Sequence, residues 1–141
     1  MRDSVFDLVC GVESSGIPLA TAISLYLEKP LIYVRKGRKG HGLGKLIEGD
    51  YREGALALLV DDVATTGNSL VHGVKALRSE GLRVQEAFVL VDREQGALEA
   101  LTNLGVKLRR LTSLSAIVSS LFRSKKIGKE TYEDALRHLR S

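Results

Sequence analysis

Short apolar runs alternate along this chain with segments whose apolar residues recur every three or four positions. The apolar runs predict β-strands at residues 7–12, 31–34, 55–60, 84–91 and 106–111. The amphipathic segments predict helices at residues 17–27, 69–80, 97–104, 113–122 and 129–139. Strands alternating with helices predict an α/β fold, a doubly wound parallel sheet flanked by helices, in a single domain spanning residues 1–141.

The composition is that of an ordinary folded domain. The 141 residues are 44% hydrophobic and 27% charged, which argues against a disordered chain. No apolar run approaches the roughly 18 residues that a membrane span needs, so we expect a cytoplasmic protein without membrane association. The single cysteine, Cys10, rules out a disulfide within the chain and is expected to be a buried structural thiol.

The positive charge is concentrated in one segment. Lysine and arginine exceed the acids by 21 to 17, and residues 35–45 contain five of these bases and no acid. The rest of the chain is therefore close to neutral. This distribution indicates a localised anionic ligand more than a nucleic-acid-binding face, although a basic patch for nucleic acid is the alternative.

Residues with reactive or polar side chains cluster where the predicted strands end. Such residues follow three strands, at residues 11–16, 61–69 and 92–93, and the basic segment follows the strand at 31–34. Ligands of open parallel sheets bind beyond the carboxyl ends of the strands. We therefore expect one site at this edge of the sheet.

The strongest motif is the segment 58–69. A buried strand delivers the adjacent carboxylates of Asp61 and Asp62, and a turn rich in hydroxyls and glycine then leads into a helix. The N-terminus of a helix attracts phosphate, with the hydroxyls of Thr65, Thr66 and Ser69 as further donors. Carboxylates suit sugar hydroxyls or a cation. Together these groups predict a site for a ribose 5-phosphate.

A nucleotide hydrolase is the competing interpretation of an apolar strand that ends in two aspartates. It requires an upstream loop of the form Gly-x-x-x-x-Gly-Lys-Ser/Thr. The nearest glycine–lysine pair, Gly44 and Lys45, is followed by Leu46 and has Lys39 where the first glycine belongs. The first predicted strand is also not followed by a Gly-x-Gly-x-x-Gly motif, so dinucleotide binding is not indicated.

The segment 58–69 resembles the PRPP-binding motif of type I phosphoribosyltransferases. Residues 33–44, followed by Glu48 and Gly49, are similar to the catalytic loop of the orotate phosphoribosyltransferases. Residues 6–11, 16–20 and 89–96 resemble that family as well, and the resemblance extends from about residue 6 to residue 122.

The resemblance implies an Mg²⁺-dependent orotate phosphoribosyltransferase, which transfers phosphoribosyl from PRPP to orotate and releases pyrophosphate. The implied catalytic residues are Lys39, His41, Asp61 and Asp62. The implied PRPP-binding residues are Arg35, Lys36, Lys39, His41, Asp61, Asp62, Val63, Ala64, Thr65, Thr66, Gly67, Asn68 and Ser69. Thr65 and Arg93 match positions that contact orotate. Mg²⁺ would be held mainly by PRPP near Asp61 and Asp62, and the basic loop 35–45 of a homodimer would reach the neighbouring site.

The sequence departs from the family pattern at several places. The family has a further N-terminal region that covers the base, so we expect either an upstream start or an incomplete base site. Glu13 stands in the first loop where an acid would repel pyrophosphate, and Gly37 stands where the family commonly has an acid. Two alternatives stay open: transfer to another base, or a non-catalytic protein that senses PRPP or a nucleotide. His72 and His138 are expected to be surface residues.

Overall fold

The computed structural model describes residues 5–37 and 45–139. All five predicted strands and all five predicted helices are confirmed. In chain order the elements are β1 (Leu8–Val12), α1 (Gly16–Leu27), β2 (Leu31–Val34), β3 (Ile47–Glu48), β4 (Leu56–Ala64), α2 (Asn68–Ser79), β5 (Arg83–Asp92), α3 (Ala97–Thr102), β6 (Lys107–Ser113), α4 (Leu114–Arg123) and α5 (Lys129–Leu139).

The strands form one sheet in the order β3-β2-β1-β4-β5-β6. All pairs are parallel except β2 with β3, so the predicted doubly wound parallel sheet is confirmed and carries one short antiparallel strand at its edge. Strand β3 pairs only two residues, Ile47 and Glu48, with the end of β2. So short an edge strand leaves no recognisable apolar pattern. The strand order reverses between β1 and β4, which makes their carboxyl ends the switch point of the sheet.

Strand β4 is buried on both faces, as its continuous apolar run predicts. Leu59 belongs to the core between the sheet and helices α2 and α3, whereas Leu58 and Val60 belong to the core that contains Ala20 and Ile23 of α1. Successive side chains of a strand point to opposite faces, so one strand supplies both cores. Cys10 is fully buried as expected, and that burial raises the pKa of its thiol.

Helices α4 and α5 pack against each other after the last strand. The rings of Phe122 and Tyr132 stack with their centroids 4.5 Å apart. Helix α5 contains no buried residue. None of the helices in the described residues is long and apolar enough to cross a membrane.

Helix α1 begins in very close contact with β4. A Cβ added to Gly16 would lie 2.6 Å from the carbonyl oxygen of Val60 and 3.1 Å from the Cα of Asp61. Only a residue without a side chain allows this approach. Gly16 therefore lets the β1–α1 turn lie beside the end of β4.

Replacing Gly16 with alanine is expected to destabilise the fold by about 1–3 kcal/mol, because α1 must move away from the backbone of β4. The free energy of unfolding from urea titration measures this effect. Gly128→Ala is the matched control, since a Cβ at Gly128 has no neighbour within 4 Å. Equal stability of the two variants would contradict the packing described here.

Candidate active site

The two adjacent carboxylates lie within β4 rather than after it. We expected the strand to end where Asp61 begins, but it continues to Ala64 because its backbone stays paired with β5 as far as Asp92. The carboxylate of Asp61 is only 5% exposed and accepts hydrogen bonds from the Asp62 amide at 2.9 Å and the Ser69 hydroxyl at 3.1 Å. Asp62 is half-buried and is the more accessible of the two.

Burial changes the acidity of Asp61. Loss of solvation raises the pKa of this carboxyl from 3.8 to about 6, and the neighbouring carboxylate of Asp62 also raises it. The hydrogen bonds that Asp61 accepts from the backbone N–H of Asp62 and the hydroxyl of Ser69 lower the pKa and so oppose this shift. A buried carboxylate of raised pKa at the end of a sheet strand is typical of functional sites.

The turn after β4 presents the N-terminus of α2. Gly67 caps this helix with φ 85°, a conformation that favours glycine. A Cβ at Gly67 would lie 2.9 Å from the Cα of Ala97, so α3 packs directly on the turn. The residues Thr66, Asn68 and Ser69 are exposed, and Thr65 is half-buried. Hydroxyls and free helical N–H groups together make this turn suitable for a phosphate.

The turn after β1 connects Asp62 with the basic segment. The Ser15 hydroxyl donates to Oδ1 of Asp62 at 2.9 Å. Glu13, the acid that departs from the family pattern, accepts from the backbone N–H of Lys36 at 2.8 Å. Its carboxylate therefore holds the first part of the basic segment in place.

Arg35 is held at the start of the basic segment by three contacts. Its Nη1 pairs with Oε1 of Glu48 at 3.1 Å, and its amide donates to the carbonyl of Leu46 at 2.8 Å. His72 of α2 lies half-buried with Nε2 3.0 Å from the carbonyl oxygen of Arg35. His72, predicted to be a surface residue, is thus partly exposed, and its ring also contacts the main chain of the basic segment. The sequence offered one signal for this contact, because His72 lies on the helix that follows the turn 65–69.

Three further predicted residues belong to the basic segment. Lys36 is exposed, next to Arg35. Lys39 and His41 lie outside the described residues. Arg35 and Lys36 thus lie at the same edge of the sheet as Asp62. His72 contacts the backbone of Arg35, and Glu13 contacts the backbone of Lys36.

The turn after β5 brings Arg93 to this edge. Its amide donates to the carbonyl of Ala64 at 2.8 Å, which places Arg93 beside the turn that begins at Thr65. The exposed Arg93 lines a cavity of about 420 Å³ together with Gln95 and residues of α4 and α5. The predicted residues Asp61, Asp62 and Arg93, with the segment 65–69, are therefore brought together.

The described residues contain no group of three or more histidine, cysteine, aspartate or glutamate side chains placed to hold a metal ion. A Mg²⁺ ion often keeps one or two protein carboxylates and takes its other ligands from substrate phosphates and water. Asp61 and Asp62 fit that pattern, and Asp62 is the more accessible of them.

Comparison with known proteins identifies the family. Residues 3–104 match the phosphoribosyl transferase domain. The chain belongs to that family. It is 48% identical to the orotate phosphoribosyltransferase of Staphylothermus marinus over 127 residues, which are 90% of this chain and 62% of that protein.

Solved phosphoribosyltransferase structures share the fold. The orotate phosphoribosyltransferase from Aeropyrum pernix is 46% identical, with a TM-score of 0.77 over 82% of this chain and 65% of that one. The orotate phosphoribosyltransferase from Mycobacterium tuberculosis, in complex with PRPP, is 32% identical, with a TM-score of 0.69 over 82% of this chain and 67% of that one. The chain spans about three fifths to two thirds of the length of the curated relatives that it matches.

The buried charge of Asp61 is expected to cost stability at neutral pH. The folded pKa of about 6 lies above the unfolded value of 3.8, so the folded state keeps this proton longer. Stability should therefore fall as the pH rises from about 4 to 6 and stay lower above that range. Asp61→Asn removes the charge and should be more stable than the wild type by about 1–3 kcal/mol at pH 8, with little difference at pH 4.

Urea unfolding at the two pH values measures this difference. Asp50→Asn, at an exposed position, is the control and should change stability by less than about 0.5 kcal/mol. A loss of stability in Asp61→Asn at pH 8 would mean that its hydrogen bonds outweigh the cost of burying its charge.

Proposed function

We propose that this chain carries orotate phosphoribosyltransferase activity. A ring nitrogen of orotate forms a bond to C1 of the ribose of PRPP, while the bond from that carbon to pyrophosphate breaks and the proton of the ring nitrogen is released to pyrophosphate or solvent. The products are orotidine 5′-monophosphate and pyrophosphate. The observation that carries the proposal is the arrangement of Asp61, Asp62, the phosphate turn 65–69 and Arg93 at one edge of the sheet.

The phosphoribosyl part of PRPP matches two parts of this arrangement, the phosphate turn 65–69 and the pair of carboxylates. Its 5-phosphate is an anion that suits the hydroxyls and N–H groups of residues 65–69 at the start of α2. Its ribose hydroxyls can donate hydrogen bonds to Asp61 and Asp62. The hydrogen bonds to Asp62, from Ser15 and the Val63 amide, both go to Oδ1, so Oδ2 is the atom proposed to accept from the ribose, whereas Asp61 accepts a hydrogen bond on each of its oxygens.

The leaving pyrophosphate requires cations. Negative charge grows on it as its bond to the ribose breaks, and preorganised positive groups stabilise that charge. Arg35, Lys36, Lys39 and His41 fill this role in the proposal. Arg35 has five N–H donors, so its pairing with Glu48 leaves others for the pyrophosphate. Mg²⁺, when bound with PRPP, neutralises part of the phosphate charge.

Orotate binding depends on Arg93 and Thr65. Orotate is a planar anion with a carboxylate, and a guanidinium can donate two parallel hydrogen bonds to such a group. The N–H contact of Arg93 with Ala64 keeps this residue next to Thr65 and therefore next to the ribose site.

The direct test incubates the chain with PRPP, orotate and Mg²⁺ and measures orotidine 5′-monophosphate and pyrophosphate, which should form in equal amounts. Adenine and other bases serve as competing acceptors. Faster transfer to another base would assign a different specificity, and PRPP binding without transfer to any base would indicate a sensing protein.

Asp62→Asn is expected to weaken PRPP binding by about 1–3 kcal/mol, the scale of a lost hydrogen bond to a charged group. Titration calorimetry of PRPP in the presence of Mg²⁺ measures this change. Asp50→Asn is again the control, because Asp50 is exposed and lies outside the proposed binding set. Equal affinity in Asp62→Asn and the wild type would remove Asp62 from the ribose site.

The proposal includes a homodimer in which the segment 35–45 of one subunit acts on the neighbouring site. Lys39→Ala and Asp62→Asn chains, each nearly inactive alone, should then regain activity when they are expressed together. Half of randomly formed dimers are mixed and each contains one intact site, so recovery of about one quarter of wild-type activity is expected. Sedimentation as a monomer, or no recovery in verified mixed dimers, would contradict this arrangement.

A further inference from the structure

We propose that Arg110 is a positioning residue for Arg93 and thereby controls the affinity of the site for the base. This inference rests on the proposed function, because Arg93 is assigned there to orotate. Arg110 lies on β6, outside all the segments that carry the phosphoribosyltransferase motifs. It acts through the two acids that flank Arg93 in the chain, Asp92 and Glu94.

The contact between Arg110 and Asp92 is the stronger of the two connections. Asp92 is only 1% exposed, and its Oδ2 lies 2.7 Å from Nη1 of Arg110. Its other oxygen, Oδ1, accepts from the backbone N–H of Glu94 at 2.8 Å. One oxygen of the Asp92 carboxylate therefore binds Arg110, and the other binds the backbone of the residue that follows Arg93.

Glu94 provides the second connection. Its backbone is left-handed, with φ 59°, which is uncommon for a residue with a side chain. Its carboxylate lies 3.7 Å from Arg110 and also accepts from the amide of Ser115 at the start of α4. Hydrogen bonding to Ser115 lowers the pKa of Glu94, so this group is ionised at neutral pH. The turn is thus fixed to both β6 and α4.

Arg93 is held on both sides while its own side chain stays exposed. Its amide donates to Ala64, and its neighbours are fixed by Arg110. Removing Arg110 leaves Asp92 as a buried carboxylate without its cationic partner, an unfavourable state that solvation of Asp92 would relieve. Movement of Asp92 toward water displaces the Glu94 amide and, with it, the guanidinium of Arg93. The affinity for orotate should fall while the PRPP site at β4 and α2 is unaffected.

The chain offers a matched control in the neighbouring residue. Arg109 also pairs with an acid of β5, with Nη2 2.9 Å from Oε1 of Glu86. This pair has similar geometry, but Glu86 lies six residues before Asp92 along β5, away from the turn. Arg109→Met therefore removes an ion pair between the same two strands, with a less deeply buried acid, without touching the flanks of Arg93.

The experiment compares Arg110→Met, Arg110→Lys and Arg109→Met with the wild type in the full chain. The first measurement is amide hydrogen exchange at Arg93 and Glu94, with the core amide of Leu59 as the reference. The second is the KM for orotate and the KM for PRPP under the same conditions. Hydrogen exchange tests whether Arg110 stabilises the turn around Arg93. The two KM values test whether that stabilisation affects the binding of orotate.

For Arg110→Met we expect faster exchange at Arg93 and Glu94 but not at Leu59. We also expect a rise in the orotate KM of roughly 10- to 100-fold with a PRPP KM within about twofold of the wild type, since the loss of a hydrogen bond to a charged ligand group weakens binding by a factor of this size. Arg110→Lys keeps the charge and should recover part of the loss. If Arg110→Met does not fold, Arg110→Lys compared with Arg109→Met decides the question on the same readouts.

Several outcomes would overturn the inference. Unchanged exchange at Arg93 and Glu94 would show that Arg110 does not hold the turn. Faster exchange with an unchanged orotate KM would show that the turn does not set the affinity for the base. Equal effects of Arg109→Met and Arg110→Met would show that Arg110 only stabilises the fold through its ion pair. A wild-type chain that never uses orotate would instead overturn the proposed function and the base-affinity claim, while the exchange result would still decide whether Arg110 holds the turn.

Discussion

The parallel pairing of β4 along both of its edges is the constraint on which the rest of the structure depends. Its register with β1 places Gly11 opposite Val60, whereas its pairing with β5 continues to Ala64. Strand β4 therefore extends beyond β1, and its last residues have a neighbouring strand on only one edge. The turn that contains Ser15 and Gly16 closes against this open edge. The candidate site occupies the position that the shorter strand leaves free, at the switch point of the sheet.

Charge is distributed unevenly around this position. Asp61, Asp62 and Glu13 supply negative charge close to the strand ends, and each is held by hydrogen bonds from hydroxyl or backbone N–H groups. Burial of Asp61 costs free energy that these bonds only partly offset, as its raised pKa indicates. Carboxylates repel phosphates, so the proposed phosphate positions are the N-terminus of α2 and the basic segment. Sugar hydroxyls and a cation remain as partners for the acids.

Main-chain hydrogen bonds fix the functional segments relative to one another. His72 contacts the carbonyl of Arg35, Glu13 accepts from the amide of Lys36, and the amide of Arg93 donates to Ala64. Each bond connects two segments that are distant in the chain. Such bonds depend on backbone position, so substitutions of the side chains involved act mainly by moving a neighbour. The contact between Arg110 and Asp92 is a side-chain ion pair, and it reaches the main chain through the other oxygen of Asp92, which accepts from the amide of Glu94.

The sequence by itself determined the α/β architecture and the edge of the sheet that carries the site. Periodicity identifies each long strand and helix, and the carboxyl ends of parallel strands meet at one edge whatever their order. The motif 58–69 also predicted that Asp61, Asp62 and the turn 65–69 lie together, and the structure places them consecutively at the end of β4 and the start of α2. Only the tertiary structure decided that β4 continues to Ala64, that β3 returns antiparallel, and that His72, Glu13 and Arg110 hold the functional segments. These features depend on strand register and on contacts between residues distant in the chain, and neither leaves a periodic pattern in the sequence.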